Sequence, residues 1–474
     1  METPSSPSVF AQRRARVAEA LRAAGHGVAV LPTASLQMRN ADSEHGYRHD
    51  SHFFHLTGFT EPDAWLVLQA DGRSVLFCQP RDEAREIWDG VRVGPERAPA
   101  LLGVDAAHPV AALDELLPGL LANQGTVWFP FRGPAGLQAR VAGWLDAVRA
   151  RTREGLAAPV QQRDLAPVLD DLRLIKDSHE LALMRRAGEI SALAHGRAMR
   201  FCTRRWREGA ASIAEYEIEA ELLHEFRRHG ANGMAYTPIV AAGANACILH
   251  HVAGSVNLGL AAPAARLLPG ELCLIDAGCE YGSYAADITR TFPANGRFSG
   301  PQRAAYELVL AAQEAAIAAT RPGLRKIEAH TAAVRVLAQG MLDLGLLRRD
   351  VVGTLDDVIE HAAYRRFYMH GTGHWLGLDV HDVGDTLARD EAPVEQPDGL
   401  GGKVVRPPSR RLASGMVLTL EPGLYVRPAD DVPQDFWHIG IRIEDDALVT
   451  PQGCELLTRG VPVRCDEIEA LMRD

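Results

Sequence analysis

The sequence predicts two domains, an α/β domain over residues 1–170 and a larger domain of helices and strands over residues 171–474. At 474 residues the chain is too long for one ordinary hydrophobic core and fits two or three domains. Short apolar strands alternate with helical patterns over residues 1–165, which is typical of an α/β domain. The pair Ala166-Pro167 then introduces a polar segment and a long helical pattern, so we place the boundary there.

The first domain carries a regular succession of elements. Gly25 is a suitable C-cap for a first helix, and Asp71-Gly72 forms a turn between two strands. Helices are predicted over residues 9–24, 82–88, 111–121 and 136–151, and strands over residues 28–31, 53–60, 64–70 and 74–79.

The second domain begins with a long helix, for which Ser178 is the expected N-cap. Residues 271–277 and 283–292 are predicted to pair as a β-hairpin. Further helices are predicted over residues 212–229, 301–321 and 327–344, and further strands over residues 236–241, 416–421 and 440–450. Two segments rich in proline and glycine, residues 253–267 and 385–411, are predicted as loops.

The charge and the cysteines limit the classes of function. A net charge of −11 disfavours nucleic acid or an anionic membrane surface as a partner. The seven cysteines are scattered, without a C-x-x-C pair, as expected for reduced thiols in a cytoplasmic protein. The N-terminus lacks the pattern of a signal peptide, and no apolar run reaches the ~18 residues of a membrane helix.

The segment from Met369 to Asp382, M-H-G-T-G-H-W-L-G-L-D-V-H-D, has the composition of a functional site. It carries three histidines, His370, His374 and His381, among three glycines. Glycine lets the backbone approach a ligand or another backbone closely. The alternative is a polar loop with incidental histidines.

Two aspartates precede this segment at the ends of apolar stretches. Asp276 ends the run L-C-L-I-D, and Asp287 follows eleven residues later in A-A-D-I-T-R-T-F. A carboxylate in such apolar surroundings is costly unless it meets a cation. On a hairpin, this spacing can bring both side chains to one face. The alternative is that each aspartate belongs to a turn or an edge.

Two glutamates follow the histidine segment in similar contexts. Glu421 comes directly after V-L-T-L, and Glu444 lies in G-I-R-I-E-D-D. Strand alternation places Arg442 and Glu444 on one face, where an arginine can support a ligating carboxylate. Because Asp445 and Asp446 come next, the alternative for Glu444 is an acidic surface turn.

Together these residues predict a metal centre. Four carboxylates neutralise two divalent ions, and a set of oxygen donors with one imidazole suits Mn²⁺, and less decisively Co²⁺ or Zn²⁺. A water bridging two such ions has a pKa of about 7, which provides hydroxide at neutral pH. Other catalytic motifs are missing from the sequence: H-E-x-x-H, G-x-S-x-G and the phosphate-binding G-x-x-x-x-G-K-[ST].

The order of these motifs resembles that of the pita-bread metallopeptidases, and in particular their Xaa-Pro aminopeptidase (aminopeptidase P) branch. The matching motifs are I-D-A-G, D-I-T-R-T-F, H-G-T-G-H-W-L-G-L-D-V-H-D, E-P-G-L-Y and G-I-R-I-E-D-D. The resemblance extends to residues 41–64 and 86–94 in the first domain, and it therefore covers nearly the whole chain.

This resemblance implies a fold and an activity. The fold is a creatinase-like α/β N-terminal domain followed by an α+β pita-bread catalytic domain with an internal pseudo-two-fold axis. The activity is release of the N-terminal residue from peptides with proline in second position, usually with Mn²⁺. Members of the family form dimers or tetramers, so a homo-oligomer is expected.

The resemblance also implies roles for individual residues. The metal ligands are Asp276, Asp287, His374, Glu421 and Glu444. The expected catalytic residues are Glu421, which transfers a proton; His250, near the scissile bond; His381, which contacts the substrate carbonyl; His370, which lines the proline pocket; and Arg442, which supports the metal ligands.

Other functions remain as alternatives. A prolidase shares this fold and these metals but is restricted to Xaa-Pro dipeptides. Methionine aminopeptidases usually lack an N-terminal domain of this length. A non-enzymatic peptide-binding relative, or an enzyme with creatinase-type chemistry that needs no metal, would be expected to have lost ligands that this sequence retains.

Overall fold

The computed structural model describes residues 7–252 and 265–473. Its backbone contacts divide the chain into two compact units, Met1–Arg173 and Leu174–Asp474. In the residues described, no helix has both the length and the hydropathy needed to cross a membrane.

The first unit is built on one six-stranded sheet. Its helices are α1 (Pro7–Ala23), α2 (Ser51–Thr57), α3 (Glu83–Asp89), α4 (Gly94–Leu102), α5 (Leu113–Leu121), α6 (Leu137–Arg149) and α7 (Ala166–Leu174). Its strands are β1 (Val28–Pro32), β2 (Trp65–Gln69), β3 (Ser74–Cys78), β4 (Ala106–Pro109), β5 (Thr126–Phe129) and β6 (Gln161–Asp164). The strand order is β4-β3-β2-β1-β5-β6.

Both faces of this sheet are buried. Leu31 of β1 belongs to one apolar cluster and Val30 to another, as expected from the alternation of side chains along a strand. Strand β2 pairs antiparallel with β1 and β3, whereas the β1–β5, β3–β4 and β5–β6 pairs are parallel. The unit therefore has a complete core of its own.

One predicted element of the first unit has a different structure, and helices α4 and α7 and strands β4, β5 and β6 were not predicted. Residues 53–60 were expected to form a strand, but the structure has helix α2. The Asp50 side chain accepts a hydrogen bond from the Phe53 amide at 2.8 Å, and Gly58, with φ 66°, closes the other end. These two caps satisfy backbone groups that a short helix leaves open, and they outweigh the strand preference of the aromatic residues.

The second unit contains longer helices and several small sheets. Its helices are α8 (Ser178–Arg207), α9 (Glu215–Arg228), α10 (Gly300–Ala319), α11 (Lys326–Asp343), α12 (Arg349–Val352), α13 (Leu355–Glu360) and α14 (Cys465–Arg473). Its first strands are β7 (Ile213–Ala214), β8 (Gly233–Met234), β9 (Ile239–Ala242), β10 (Arg266–Leu267), β11 (Leu272–Asp276), β12 (Cys279–Tyr281), β13 (Tyr284–Ala285) and β14 (Thr289–Pro293). The others are β15 (Val394–Pro397), β16 (Lys403–Arg406), β17 (Val417–Leu420), β18 (Gly423–Val426), β19 (Ile439–Arg442), β20 (Asp445–Thr450) and β21 (Gly453–Leu456).

The predicted hairpin over residues 271–277 and 283–292 is more elaborate than expected. Strands β11 and β14 do pair antiparallel, with Asp276 opposite Thr289. A second, smaller hairpin, β12–β13, is inserted between them. Asp287 therefore lies just before β14, outside the ladder. The two aspartates still come together as expected, because both carboxylates are within hydrogen-bond distance of the Tyr236 hydroxyl.

Three further details of the second unit were also predicted differently. Helix α8 is capped by Asp177, whose side chain and that of Glu180 form a capping box, instead of by Ser178. The expected single strand over 440–450 is split into β19 and β20. Within the predicted loop 385–411, β15 and β16 form an antiparallel hairpin. Most of the other predicted loop, residues 253–264, lies outside the described residues.

Candidate metal centre

The five expected metal ligands converge where several strands of the second unit end. Asp276 is the last residue of β11, Glu421 follows β17, and Glu444 separates β19 from β20. Glu444 also forms an isolated β-bridge with Thr289 at the start of β14, two residues after Asp287. The folded chain thus gathers residues that are up to 168 positions apart, from Asp276 to Glu444.

The histidine segment reaches this place by pairing with β17. The Thr419 amide donates to the His374 carbonyl at 2.9 Å, and Trp375 forms an isolated bridge with Leu418. The approach is very close, since a Cβ on Gly373 would lie 1.9 Å from the Thr419 carbonyl oxygen. Glycine is therefore required at this position for steric reasons.

Three of the expected ligands form a tight group. One ligand atom each from Asp287, His374 and Glu444 lie within 4.8 Å of one another. His374 Nε2 is also 3.8 Å from Glu421 Oε1. These distances place four of the five donors around one small volume.

The orientation of His374 suits a metal ligand. Its Nδ1–H donates to the Trp375 carbonyl at 3.0 Å, so Nε2 points toward Asp287 Oδ2, 3.5 Å away. Fixing one ring nitrogen on a carbonyl is the usual way in which a protein orients a ligating imidazole.

Tyr236 joins the two aspartates. Its hydroxyl lies 2.6 Å from Asp276 Oδ1 and 2.5 Å from Asp287 Oδ1. A phenol has one proton and can donate to one of these oxygens at a time. The remaining negative charge on the aspartate pair requires another cation or a proton.

Arg442 compensates part of this charge. Its Nη2 donates to Asp276 Oδ2 at 2.6 Å, and its Nε donates to the Thr289 hydroxyl at 3.1 Å. Thr289 in turn donates to Glu444 Oε2 at 2.7 Å. Arg442 is therefore linked directly to Asp276 and, through the Thr289 hydroxyl, to Glu444.

The ionisation of the site reflects its burial and crowding. Burial raises the pKa of Glu444 well above its usual range, with further repulsion from Asp287 and Glu421. Burial likewise raises the pKa of Glu421 to about 7, although the charge of His374 opposes this shift. Burial also raises the pKa of Asp276, against the charge of Arg442. In the metal-free chain, burial therefore makes ionisation of these carboxyl groups more costly than it is in water.

His374 and Asp287 show the opposite behaviour. Burial disfavours charge on both, but their mutual hydrogen bond and the nearby charges together outweigh it, so the pKa of His374 rises to about 9 and that of Asp287 falls. In the metal-free chain, the imidazolium supplies positive charge to the site. The site offers several carboxylate oxygens and one oriented imidazole, and the protein supplies too little positive charge to neutralise the carboxylates. Divalent cations fit such a site.

The other expected catalytic histidines surround this group. The ring of His381 lies 4.2 Å from that of His374 in an edge-on arrangement. His370 Nδ1 is 3.7 Å from Glu421 Oε2. His250 is solvent-exposed. Its electrostatic effect adds to the lowering of the pKa values of His370 and His381, for which burial is the main cause.

Both ring nitrogens of His370 are already used. Nδ1–H donates to the Gly371 carbonyl at 2.7 Å, and Nε2 accepts from the Tyr425 hydroxyl at 2.8 Å. Tyr425 in turn accepts from Arg442 Nη1 at 3.1 Å. Burial lowers the pKa of His370 to about 3, with a further contribution from Arg442, so the ring is neutral at pH 7.

Two side chains of helix α11 contact the histidine segment. Lys326 Nζ donates to the Gly373 carbonyl at 2.6 Å, and His330 Nδ1 is 2.8 Å from the Thr372 hydroxyl. Lys326 and His330 are four residues apart and therefore lie on the same helix face. This face holds the backbone that leads to His374.

Sequence reasoning missed several of these supporting residues. Thr289 and Tyr425 lie inside the motifs D-I-T-R-T-F and E-P-G-L-Y, so their position beside ligands could have drawn attention to them. Tyr236, Lys326 and His330 carry no such signal, because they stand apart from the motifs and meet the site only through folding.

Comparison with known proteins agrees with this site. Residues 182–451 match the model of metallopeptidase family M24, and residues 10–128 match that of the aminopeptidase P N-terminal domain. The chain is 42% identical over 468 residues to Xaa-Pro aminopeptidase of Escherichia coli, covering 98% of this chain and 97% of the relative. It is 41% identical over 466 residues to that of Haemophilus influenzae, covering 98% and 96%.

Solved structures of two aminopeptidases also match this chain over its whole length. The Pseudomonas aeruginosa aminopeptidase PepP superimposes with a TM-score of 0.87 at 43% identity, over 100% of this chain and 98% of the other. Aminopeptidase P from E. coli superimposes with a TM-score of 0.88 at 41% identity, over 99% of both chains. The predicted fold, an α/β N-terminal domain and a pita-bread catalytic domain, is thereby confirmed. The chain belongs to metallopeptidase family M24 and is a hydrolase.

Proposed function

We propose that the chain is a dinuclear-metal aminopeptidase that releases the N-terminal residue from peptides with proline in second position. The observation that carries this proposal is the convergence of four carboxylates and one imidazole within a chain that matches an Xaa-Pro aminopeptidase over 98% of its length. The substrate partners are accordingly peptides that begin with Xaa-Pro.

The donors fit two divalent ions held by Asp276, Asp287, His374, Glu421 and Glu444. We propose Mn²⁺, with Co²⁺ and Zn²⁺ as alternatives, because four of the five side chains offer carboxylate oxygens. When bound, such ions polarise a carbonyl group and lower the pKa of water to about 7.

Glu421 is the proposed proton carrier. Its Oε1 lies 3.8 Å from His374 Nε2, within the group of expected ligands, so it would stand beside a water held by the ions. In the proposed role, Glu421 takes a proton from the attacking water and delivers it to the departing proline nitrogen.

The histidines serve binding and charge stabilisation in this proposal. His250 and His381 donate hydrogen bonds to the oxygen on which negative charge develops. His370 has both nitrogens engaged within the protein, which leaves its ring to contact the proline side chain. Arg442 favours the ionised form of Asp276 through its 2.6 Å hydrogen bond, against the effect of burial.

The test is turnover of a tetrapeptide Xaa-Pro-Yaa-Zaa by protein stripped of metal and then supplied with Mn²⁺. We expect free Xaa only after Mn²⁺ is restored, and no release from the matched peptide Xaa-Ala-Yaa-Zaa. The Glu421→Gln variant should lose activity. Cleavage of Xaa-Pro dipeptides with the tetrapeptide left intact would instead identify a prolidase, and no cleavage of either would refute the proposal.

We also propose a cytoplasmic location and assembly into a homo-oligomer, a dimer or a tetramer. All seven cysteines are free, which suits a reducing compartment. The oligomer is inferred from the family resemblance.

A further inference from the structure

A buried carboxylate is hydrogen-bonded to the segment that carries His250. Glu215, the first residue of α9, is completely buried. Its side chain accepts hydrogen bonds from the Ala242 amide at 2.8 Å, from Asn245 Nδ2 at 2.9 Å and from His251 Nε2 at 2.7 Å. A buried carboxylate with three donors is tightly held, because each bond to the charged group is stronger than a neutral one.

The three donors span the segment from Ala242, the last residue of β9, to His251, which follows His250. Within the segment, the Ile248 amide donates to the Asn245 carbonyl at 2.9 Å, and the His251 amide donates to the Ile248 carbonyl at 3.3 Å. From the other side, Arg427 Nη2 donates to the Cys247 carbonyl at 2.8 Å. The segment is thus a turn fixed at several points, with Glu215 bonded to its beginning, middle and end.

His250 and His251 have opposite environments. His251 is buried and bonded to Glu215, whereas the neighbouring His250 is exposed. Because the two are consecutive, the bond that fixes His251 also limits where the His250 ring can lie. The carboxylate of Glu215 only accepts, so His251 Nε2 must carry the proton of this bond.

We propose that Glu215 and His251 are positioning residues that hold His250 in place for catalysis. This inference rests on the proposed function, since it assigns His250 a role in the same reaction. The competing interpretation is a pair that only stabilises the fold. The two interpretations differ in whether the effect of losing the pair depends on His250.

The test compares three variants. His251→Leu removes the donor, and His251→Gln keeps an N–H at a position similar to Nε2. His229→Leu is a matched control, because His229 Nε2 bonds Glu225 on the same helix at 2.9 Å, away from His250. We expect kcat of His251→Leu to fall by about 10- to 100-fold, as for a catalytic group displaced by about 1 Å. KM should change less, His251→Gln should recover most of kcat, and His229→Leu should match the wild type.

A double-mutant cycle gives the decisive result. In a His250→Ala background, His251→Leu should change kcat by less than about twofold, because the group that it positions is already gone. An equal loss in both backgrounds would overturn the inference while leaving the peptidase activity itself established.

A readout independent of activity separates this inference from the proposed function. Hydrogen exchange at the Ile248 and His251 amides should be faster in His251→Leu than in the wild type, and unchanged in His229→Leu. If the wild type cleaves no Xaa-Pro peptide, the proposed function fails, and unchanged exchange in His251→Leu would then also refute the positioning of the segment.

Discussion

At the scale of single residues, the site depends on how its buried charges are compensated. Arg442 is 4% exposed and pairs with Asp276 at 2.6 Å. Removing one partner of a buried ion pair leaves an uncompensated charge, which typically costs about 3–5 kcal/mol. We therefore expect Arg442→Leu to lower the unfolding free energy of the metal-free protein by about this amount, measured by urea denaturation with a chelator present.

The control for this variant is Arg366→Leu. Arg366 forms an equally short pair with Asp431, at 2.6 Å, but on the surface. Exposed pairs contribute little because water and salt screen them. Its denaturation midpoint should stay at the wild-type value, and an equal loss in both variants would show that burial is not the cause.

A second residue-scale prediction concerns His195. This side chain is completely buried and donates through Nε2–H to the Ala277 carbonyl at 2.9 Å. Burial lowers its pKa to about 4, below the value of about 6.5 in an unfolded chain. As the pH falls, the unfolded chain therefore binds this proton first. Stability that is present above pH 6.5 should be lost between pH 6.5 and pH 4, by about 3 kcal/mol.

The contribution of His195 to this loss of stability is obtained by comparing the wild type with a variant that lacks the imidazole. Urea denaturation of the wild type and of His195→Gln is measured from pH 7.5 to pH 4. Other buried groups titrate equally in both proteins, so the wild type should lose more stability than the variant. Parallel curves would contradict the assignment of a depressed pKa to His195.

At the scale of elements, the sequence predicted the strands that end in ligands better than it predicted their connections. The apolar runs before Asp276 and Glu421 identified β11 and β17, because a buried strand has a distinct composition. Helix α2 was missed because its caps, Asp50 and Gly58, outweigh the strand preference of its aromatic residues. The break between β19 and β20 has no local signal, since it arises from the bridge of Glu444 to Thr289.

In the candidate site, the expected ligands could be predicted from the sequence, but the residues that support them could not. Its five expected ligands stand in recognisable motifs, and the structure brings them together. Tyr236 and Lys326 reach the site only through long-range packing, so no pattern near them in the sequence could indicate it.

The pairing of the histidine segment with β17 leads to an element-scale prediction. A Cβ at Gly373 would lie 1.9 Å from the Thr419 carbonyl, so Gly373→Ala must push the two backbones apart. His374 would then move away from Glu421, and we expect at least a tenfold loss of metal affinity. Metal bound per chain after dialysis, measured by elemental analysis, reports this loss.

Gly371 provides the matched control in the same segment. An added Cβ there would meet no atom within 4 Å among the described residues. Gly371→Ala should therefore bind metal like the wild type. Equal metal content in Gly373→Ala and Gly371→Ala would refute the steric argument.

At the scale of the whole molecule, each unit has its own source of stability. The first unit has apolar clusters on both faces of its sheet. The second has a large core but also encloses Glu421 and Glu444, whose carboxyl pKa values are raised by burial and mutual repulsion. Bound metal should therefore stabilise the second unit selectively.

Metal removal tests this expectation. A ligand that binds only the folded state stabilises it by about 2.7 kcal/mol at one hundred times its dissociation constant. On adding Mn²⁺ to the stripped protein, we expect slower hydrogen exchange in β11 and β17 of the second unit, with no change in β1 and β2 of the first. Glu444→Gln, which removes one expected ligand charge, should reduce this protection. Equal protection of both units, or full protection in Glu444→Gln, would mean that Mn²⁺ stabilises the chain from some other place than this centre.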